Sequence, residues 1–173
     1  MVQARKNGLA HTGYNLGVRK NSSALVLERW QAEAAARQLP GEECGLVFAM
    51  GTVDMVMGEQ GPNISLEQSL ANLWAILDKA LAKHPCLVVG PPAMADEGLT
   101  QRISELARGY ERVCAEKGAP FLNVLPDLKA SELYQGDLAA GDGIHPGAAG
   151  YTNIFRLVEA WDGWQNFIKR QES

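Results

Sequence analysis

The sequence predicts an α/β domain in which a parallel sheet is covered by helices on two sides. Short, continuously apolar runs, above all Gly45 to Met50 and Cys86 to Val89, read as strands buried on both faces. They alternate with longer stretches of helical period, which is the pattern of strand–helix crossovers. No internal repeat, low-complexity tract or Pro/Gly-rich linker divides the 173 residues. At roughly 150 residues per domain, residues 1–173 form a single domain.

Taken in order, Tyr14 to Val18 is expected as a short strand that ends in a polar turn. Ser22 and Ser23 offer N-caps to a helix running to about Gln38, which Leu39-Pro40-Gly41 stops. Gly45 to Met50 is the next strand. After a polar loop, Ser65 and Gln68 have the spacing of a capping box. Leu66, Leu70, Leu73, Leu77 and Leu81 then make one apolar helix face. Cys86 to Val89 is a buried strand closed by Gly90-Pro91-Pro92. Ile103, Leu106, Tyr110, Val113 and Cys114 mark a helix ended by Gly118. Phe121 to Val124 is the last strand. A short helix over 127–134, a Gly-rich loop and one final helix from about Gly147 to Phe167 follow. On that last helix Trp161, Trp164 and Ile168 form an apolar face for core packing or an oligomer contact rather than ligand stacking.

Composition removes several function classes. Twenty acidic against sixteen basic residues give a net charge of -4, so the basic footprint of a nucleic-acid binder is missing. No apolar run approaches the ~18 residues of a membrane span. Cys44, Cys86 and Cys114 are odd in number and irregularly spaced, which predicts reduced thiols in a cytoplasmic protein rather than a disulfide framework. The first eight residues contain no apolar segment of a signal peptide. His11, His84 and His145 are the only histidines and none pairs with another at ligand spacing, so no metal is expected. No glycine-rich phosphate loop follows a strand, so no nucleotide cofactor is expected either.

In a parallel α/β sheet the site lies in the loops beyond the carboxyl ends of the strands. The richest such loop is 141–151. There Asp142 precedes His145 by three residues in a Gly-flanked turn that opens a helix with Pro146. A carboxylate at that spacing can orient an imidazole, fix its tautomer and stabilise the imidazolium during base catalysis. The same pattern also occurs as a plain surface turn with a helix cap. A third use of this loop, an anion at the helix start near Gly147, rests only on the free amides that every helix start offers.

Asp142-Gly143-Ile144-His145-Pro146 resembles the last block of the SGNH, or GDSL-type, esterases and lipases. The likeness extends to Tyr14-Asn15-Leu16-Gly17-Val18-Arg19, to Phe48-Ala49-Met50-Gly51-Thr52-Val53-Asp54 and to Leu87-Val88-Val89-Gly90-Pro91-Pro92, in the family's order. The resemblance implies a flavodoxin-like three-layer α/β/α fold and hydrolysis of a small-molecule ester through an acyl-enzyme. It gives His145 the role of base and Asp142 that of its orienter. It places the oxyanion and substrate loops at Lys20, which falls on the family's second-block glycine, and at Gly51, Val53 and Asp54.

Three positions depart from the family. No Gly-Asp-Ser occurs in the chain, Val53 stands where the family has Asn, and the positive φ natural to the second-block glycine would be costly at Lys20. The first, mid-sheet strand of the family has no counterpart, and Met1 to Gly8 resembles the tail of the helix that follows it. The domain is therefore expected to be N-terminally incomplete. Its flanking strands would pair directly, be covered by another copy of the chain through the exposed edges, or belong to a longer natural protein. Ser22 and Ser23 lie in the second-block loop, where capping is their expected role. The expectation is a GDSL-like ester hydrolase that is weak or inactive, or a non-catalytic relative that binds a ligand or serves in assembly.

Overall fold

Two runs of four apolar residues make the spine of the sheet. In the computed structural model, which describes residues 12–170, β1 (Leu46–Ala49) pairs in parallel with β4 (Cys86–Val89), Leu46 opposite Cys86. On its other side β4 pairs in parallel with β5 (Phe121–Leu122). The order is β1-β4-β5, and all four residues of the central strand are buried. A small antiparallel hairpin, β2 (Met57–Gly58) and β3 (Gly61–Pro62), projects from the loop after β1.

Helices flank this sheet, which makes the chain the mixed α/β protein that the alternating pattern predicts. The first group is α1 (Ser23–Ala35), α2 (Leu66–Leu81) and α3 (Glu97–Lys117), packed in succession. The second is α4 (Leu125–Ala130), α5 (Glu132–Ala139), α6 (Ala148–Ala160) and α7 (Asp162–Arg170), with α7 reaching β4. Leu73, Ile76, Leu77, Ile103, Leu106 and Tyr110 are fully buried where α2 and α3 meet the sheet. Those two helices approach closely at Gly109, where a Cβ would lie 2.5 Å from a Leu70 methyl. Among the described residues no helix is long and apolar enough to cross a membrane.

The cap chemistry follows the sequence with one difference. Ser22, Ser65, Asp96 and Ser131 each accept the amide hydrogen of the third residue along, and Gly118 ends α3 at φ 71°. Gln68 does not close a capping box at Ser65. Its amide nitrogen instead donates to Asn72 Oδ1 at 2.9 Å, one turn up the helix.

Four expected elements differ. Tyr14 to Val18 is not a strand: Tyr14 and Val18 are exposed, and the Gly17 amide turns back onto the Asn15 side chain at 2.9 Å. No described strand runs beside it to supply a ladder, and an isolated strand has no other source of backbone partners. The last strand stops at Leu122 because Val124 turns into the αR region as the cap of α4. The helix expected over 127–134 is two helices, separated at Ser131. The final helix breaks at Trp161, whose ψ of 125° is extended. Its indole folds over Gly163, which has no side chain to obstruct it, and none of residues 162–169 is fully buried.

Within the described residues the sheet has three strands, and β1 has no strand on its outer side. Val47, on that strand, is 46% exposed. The expectation for Met1 to Gly8 lies outside the described residues.

Candidate functional site

Asp142 and His145 meet as their spacing predicts. The Asp142 carboxylate accepts the His145 backbone amide on Oδ1 at 2.7 Å and the Ile144 amide on the same oxygen at 2.9 Å. Its Oδ2 lies 2.7 Å from His145 Nδ1. The His145 amide first, then its ring and then the Ile144 amide hold the Asp142 carboxyl well below the usual carboxylate range. An ionised carboxylate only accepts, so Nδ1 is the donor in this contact. Both side chains are more than half exposed.

Two contacts join this loop and the helix before it, α5, to the segment after β4. The Ala95 amide donates to the Gly143 carbonyl at 2.9 Å, and the Tyr134 hydroxyl donates to the Ala93 carbonyl at 3.0 Å. Gly143 has φ 74°, and a Cβ there would lie 3.0 Å from that of Ala95, so this close approach calls for glycine. The dyad loop is thereby fastened to the segment that leaves the carboxyl end of β4.

At the carboxyl ends of β1 and β4 lies a cavity of about 230 Å³. Gly17 and Val18 line it opposite Ala49 to Val53, with Gly90, Pro91 and Pro92 at the β4 side and Arg29 of α1 beneath. Gly51 has φ 111°, and a Cβ there would come within 2.8 Å of Leu106. Val53 begins a 3₁₀ turn over Val53–Met55 and presents a side chain with no hydrogen-bond donor. Lys20 is the one non-glycine among the described residues with positive φ, 63°. It is third in a turn closed by Asn21 N–H to the Val18 carbonyl at 3.2 Å, where a type II geometry favours glycine.

Asp54 is not on the cavity surface. It is fully buried, and it binds elements together. Its Oδ1 accepts the Ser23 amide at 2.8 Å, and its Oδ2 accepts the Ser69 hydroxyl at 2.5 Å. Ser69 Oγ also lies 2.8 Å from the Tyr110 hydroxyl, and Asn72 donates to Ser23 Oγ at 2.8 Å. Burial pushes the Tyr110 hydroxyl pKa up, which keeps that group a neutral partner. The one sequence sign of this network is that Ser69 and Asn72 interrupt the apolar face of α2.

The alternative chemistries find other uses for their residues. Ser22 caps α1, and Ser23 is fully buried in the Asp54 network, so neither hydroxyl is presented to His145. Burial pushes the Cys86 and Cys114 thiols up to about 12, which leaves them protonated. The first turn of α6, the expected anion position near Gly147, is taken by the Asp137 carboxylate, which accepts the Gly150 amide at 2.7 Å. Among the described residues no group of three or more His, Cys, Asp or Glu is placed to hold a metal ion.

Of the six expected site residues, Gly51 and Val53 line the cavity, Lys20 forms the turn beside it and Asp54 lies in the core. Asp142 and His145 bond to each other at the loop tied to β4, outside the cavity lining.

Over residues 2–152 the sequence matches the profile of the GDSL-like Lipase/Acylhydrolase family. No curated protein sequence matches it. The fold is similar to that of an acetyl-xylooligosaccharide esterase mutant from Geobacillus stearothermophilus, with TM-score 0.73 and 18% identity, over 96% of this chain and 76% of that one. A lipase/acylhydrolase from Enterococcus faecalis is similar at TM-score 0.67 and 20% identity, over 87% of this chain and 72% of that one. An alpha/beta hydrolase from the metagenome of Lake Arreo, Spain, gives TM-score 0.67 and 17% identity, over 82% of this chain and 67% of that one. Catalytic mutants of the Geobacillus esterase replace an aspartate, a serine or a histidine.

Asp54→Ala leaves the Ser23 amide without its acceptor and is expected to cost about 3 kcal/mol in urea unfolding. Asp54→Asn, which keeps one acceptor oxygen, costs less; a loss below about 1 kcal/mol for Ala would contradict this role. The Asp142 hydrogen bonds set a pH dependence of definite sign. A carboxyl with a lowered folded-state pKa stabilises its loop above the ordinary Asp value and stops doing so as pH falls through the folded value. The side-chain carboxyl ¹³C shift of Asp142, followed by NMR, should therefore titrate with its midpoint below the usual Asp value of ~3.9. A midpoint at or above that value would contradict the arrangement.

Proposed function

The chain belongs to the GDSL-like Lipase/Acylhydrolase family, and we propose that it is an ester-hydrolase-like protein that retains the base and its orienter but not the nucleophile. The observation that carries this reading is the His145 ring, whose hydrogen-bond partner among the described residues is Asp142. With Nδ1–H committed to Asp142, Nε2 is the atom that would take a proton from an attacking hydroxyl and return it to the leaving alcohol. The Asp142 charge stabilises the imidazolium in between. This assignment is in keeping with the aspartate and histidine replaced in the catalytic mutants of the Geobacillus esterase. The substrate class is a small-molecule ester.

Magnitudes set the expected activity. Removing the nucleophile of a catalytic triad costs roughly 10⁶ in turnover, and losing one oxyanion donor costs about 10² to 10³. A general base acting on water alone supplies about 10² to 10⁴. The chain is therefore weak or inactive as an esterase.

A second reading, a non-catalytic relative that binds a ligand or serves in assembly, is favoured by the cavity itself. Val18, Val26, Met50, Val53, Pro91 and Pro92 give it an apolar wall where an ester hydrolase needs a donor. The outer side of β1, with Val47 exposed, supports self-association as part of this reading. The reduced, buried Cys86 and Cys114 thiols suit a cytoplasmic setting.

Hydrolysis of a short chromogenic acetate ester tests the choice. The account expects the chain to exceed its His145→Ala variant by no more than a base acting on water supplies, about 10²- to 10⁴-fold over buffer. A His145-dependent rate well beyond about 10⁴-fold over buffer would establish a nucleophile in this chain and overturn the reading.

A further inference from the structure

We propose that Asp137 is a positioning residue for His145, seating the backbone of the dyad loop as Asp142 orients its ring. The proposal rests on the reading of Asp142 and His145 as a base pair given above.

The helix that follows His145 is short of a cap of its own. Gly147 is the N-cap of α6 and has no side chain to accept the free amides of the first turn. The acceptor comes from another helix. Asp137, near the end of α5, places Oδ2 2.7 Å from the Gly150 nitrogen, and the carboxylate sits at the positive end of α6.

Both glycines make room for it. A Cβ on Gly147 would lie 2.8 Å from Asp137 Oδ1, and a Cβ on Gly150 would lie 2.9 Å from Oδ2 and 2.5 Å from Pro146 Cβ. Gly147 has φ -75°, a conformation open to any residue, so the approach of the carboxylate and not backbone geometry explains the glycine.

The consequence for His145 follows from connectivity. Residues 140–147 leave the helix that carries Asp137 and enter the helix that Asp137 caps, so one carboxylate holds both ends of the loop together. Pro146, next to His145, is buried at this junction. Midway, the Gly143 carbonyl is held by the Ala95 amide at 2.9 Å. With the backbone fixed at both points, the 2.7 Å contact between His145 Nδ1 and Asp142 Oδ2 needs no search of loop conformations. Asp137 does not touch the imidazole; it acts through Gly150 and Pro146.

The test reads the His145 ring directly by long-range ¹H–¹⁵N NMR of the full chain at about pH 9, where an imidazole is neutral. Wild type is expected to show the Nδ1–H tautomer, which a free imidazole disfavours and the Asp142 bond imposes. Asp137→Ala is expected to lose the dominance of that tautomer, and Asp137→Asn, which keeps an acceptor oxygen for Gly150, to retain it. Gly147→Ala leaves Asp137 in place but pushes on its carboxylate, and is expected to lose the tautomer as well. If Asp137→Ala fails to fold, Gly147→Ala decides. A wild-type ring with Nδ1–H that persists in both Asp137→Ala and Gly147→Ala overturns the positioning role alone. A wild-type ring without it overturns the dyad reading, and this proposal with it.

Discussion

A buried carboxylate holds the first half of this protein in register. Asp54 leaves the carboxyl end of β1, takes the first amide of α1 and the Ser69 hydroxyl of α2, and reaches Tyr110 of α3 through Ser69. Polar groups in a protein interior are costly unless their hydrogen-bonding capacity is met, and here α1 and α2 each give Asp54 a donor while α3 joins through Ser69. The positions of Gly51, Thr52 and Val53 along the cavity follow from this anchorage, because they form the short stretch between β1 and Asp54. Asp54 thus shapes the loop from below rather than contributing to its surface.

The second half of the site is built on separate principles. Here β4 ends at Gly90-Pro91-Pro92, and the loops are fastened to one another by main-chain contacts such as Ala95 to Gly143. Asp142 is exposed, yet three hydrogen-bond donors concentrated on it organise a tight turn around the imidazole. The result is an ordered imidazole on the surface, beside a cavity whose wall is mostly apolar. In a hydrolase those two halves would be joined by a nucleophile and an oxyanion donor. The hydroxyls of Ser22 and Ser23 are spent on a helix cap and on the Asp54 network.

Local chemistry was legible at most places where a residue and its partner are close in sequence, the Ser65–Gln68 capping box excepted. Ser22, Ser65 and Gly118 act as helix boundaries, Cys86 to Val89 is a strand with the expected bounds, and Asp142 bonds His145 across three residues. Long-range partnership was not legible. The role of Asp54 depends on Ser23 and Ser69, which lie 31 and 15 residues away. Tyr14 to Val18 has the residue types of a strand, but a strand exists only by pairing, and the segment has no described neighbour to pair with. The break at Trp161 escaped periodicity because helical spacing continues through it; the fold of the indole over Gly163 is a packing event. Lys20 is instructive in the opposite direction, since its positive φ falls on the position that alignment with the family assigns to glycine.

The central claim, a base with its orienter and without a nucleophile, is tested most directly by intact-mass spectrometry after exposure to a serine-directed fluorophosphonate. The account predicts an unmodified chain, because no serine is activated by His145. A single phosphonyl adduct that is lost in His145→Ala would contradict it.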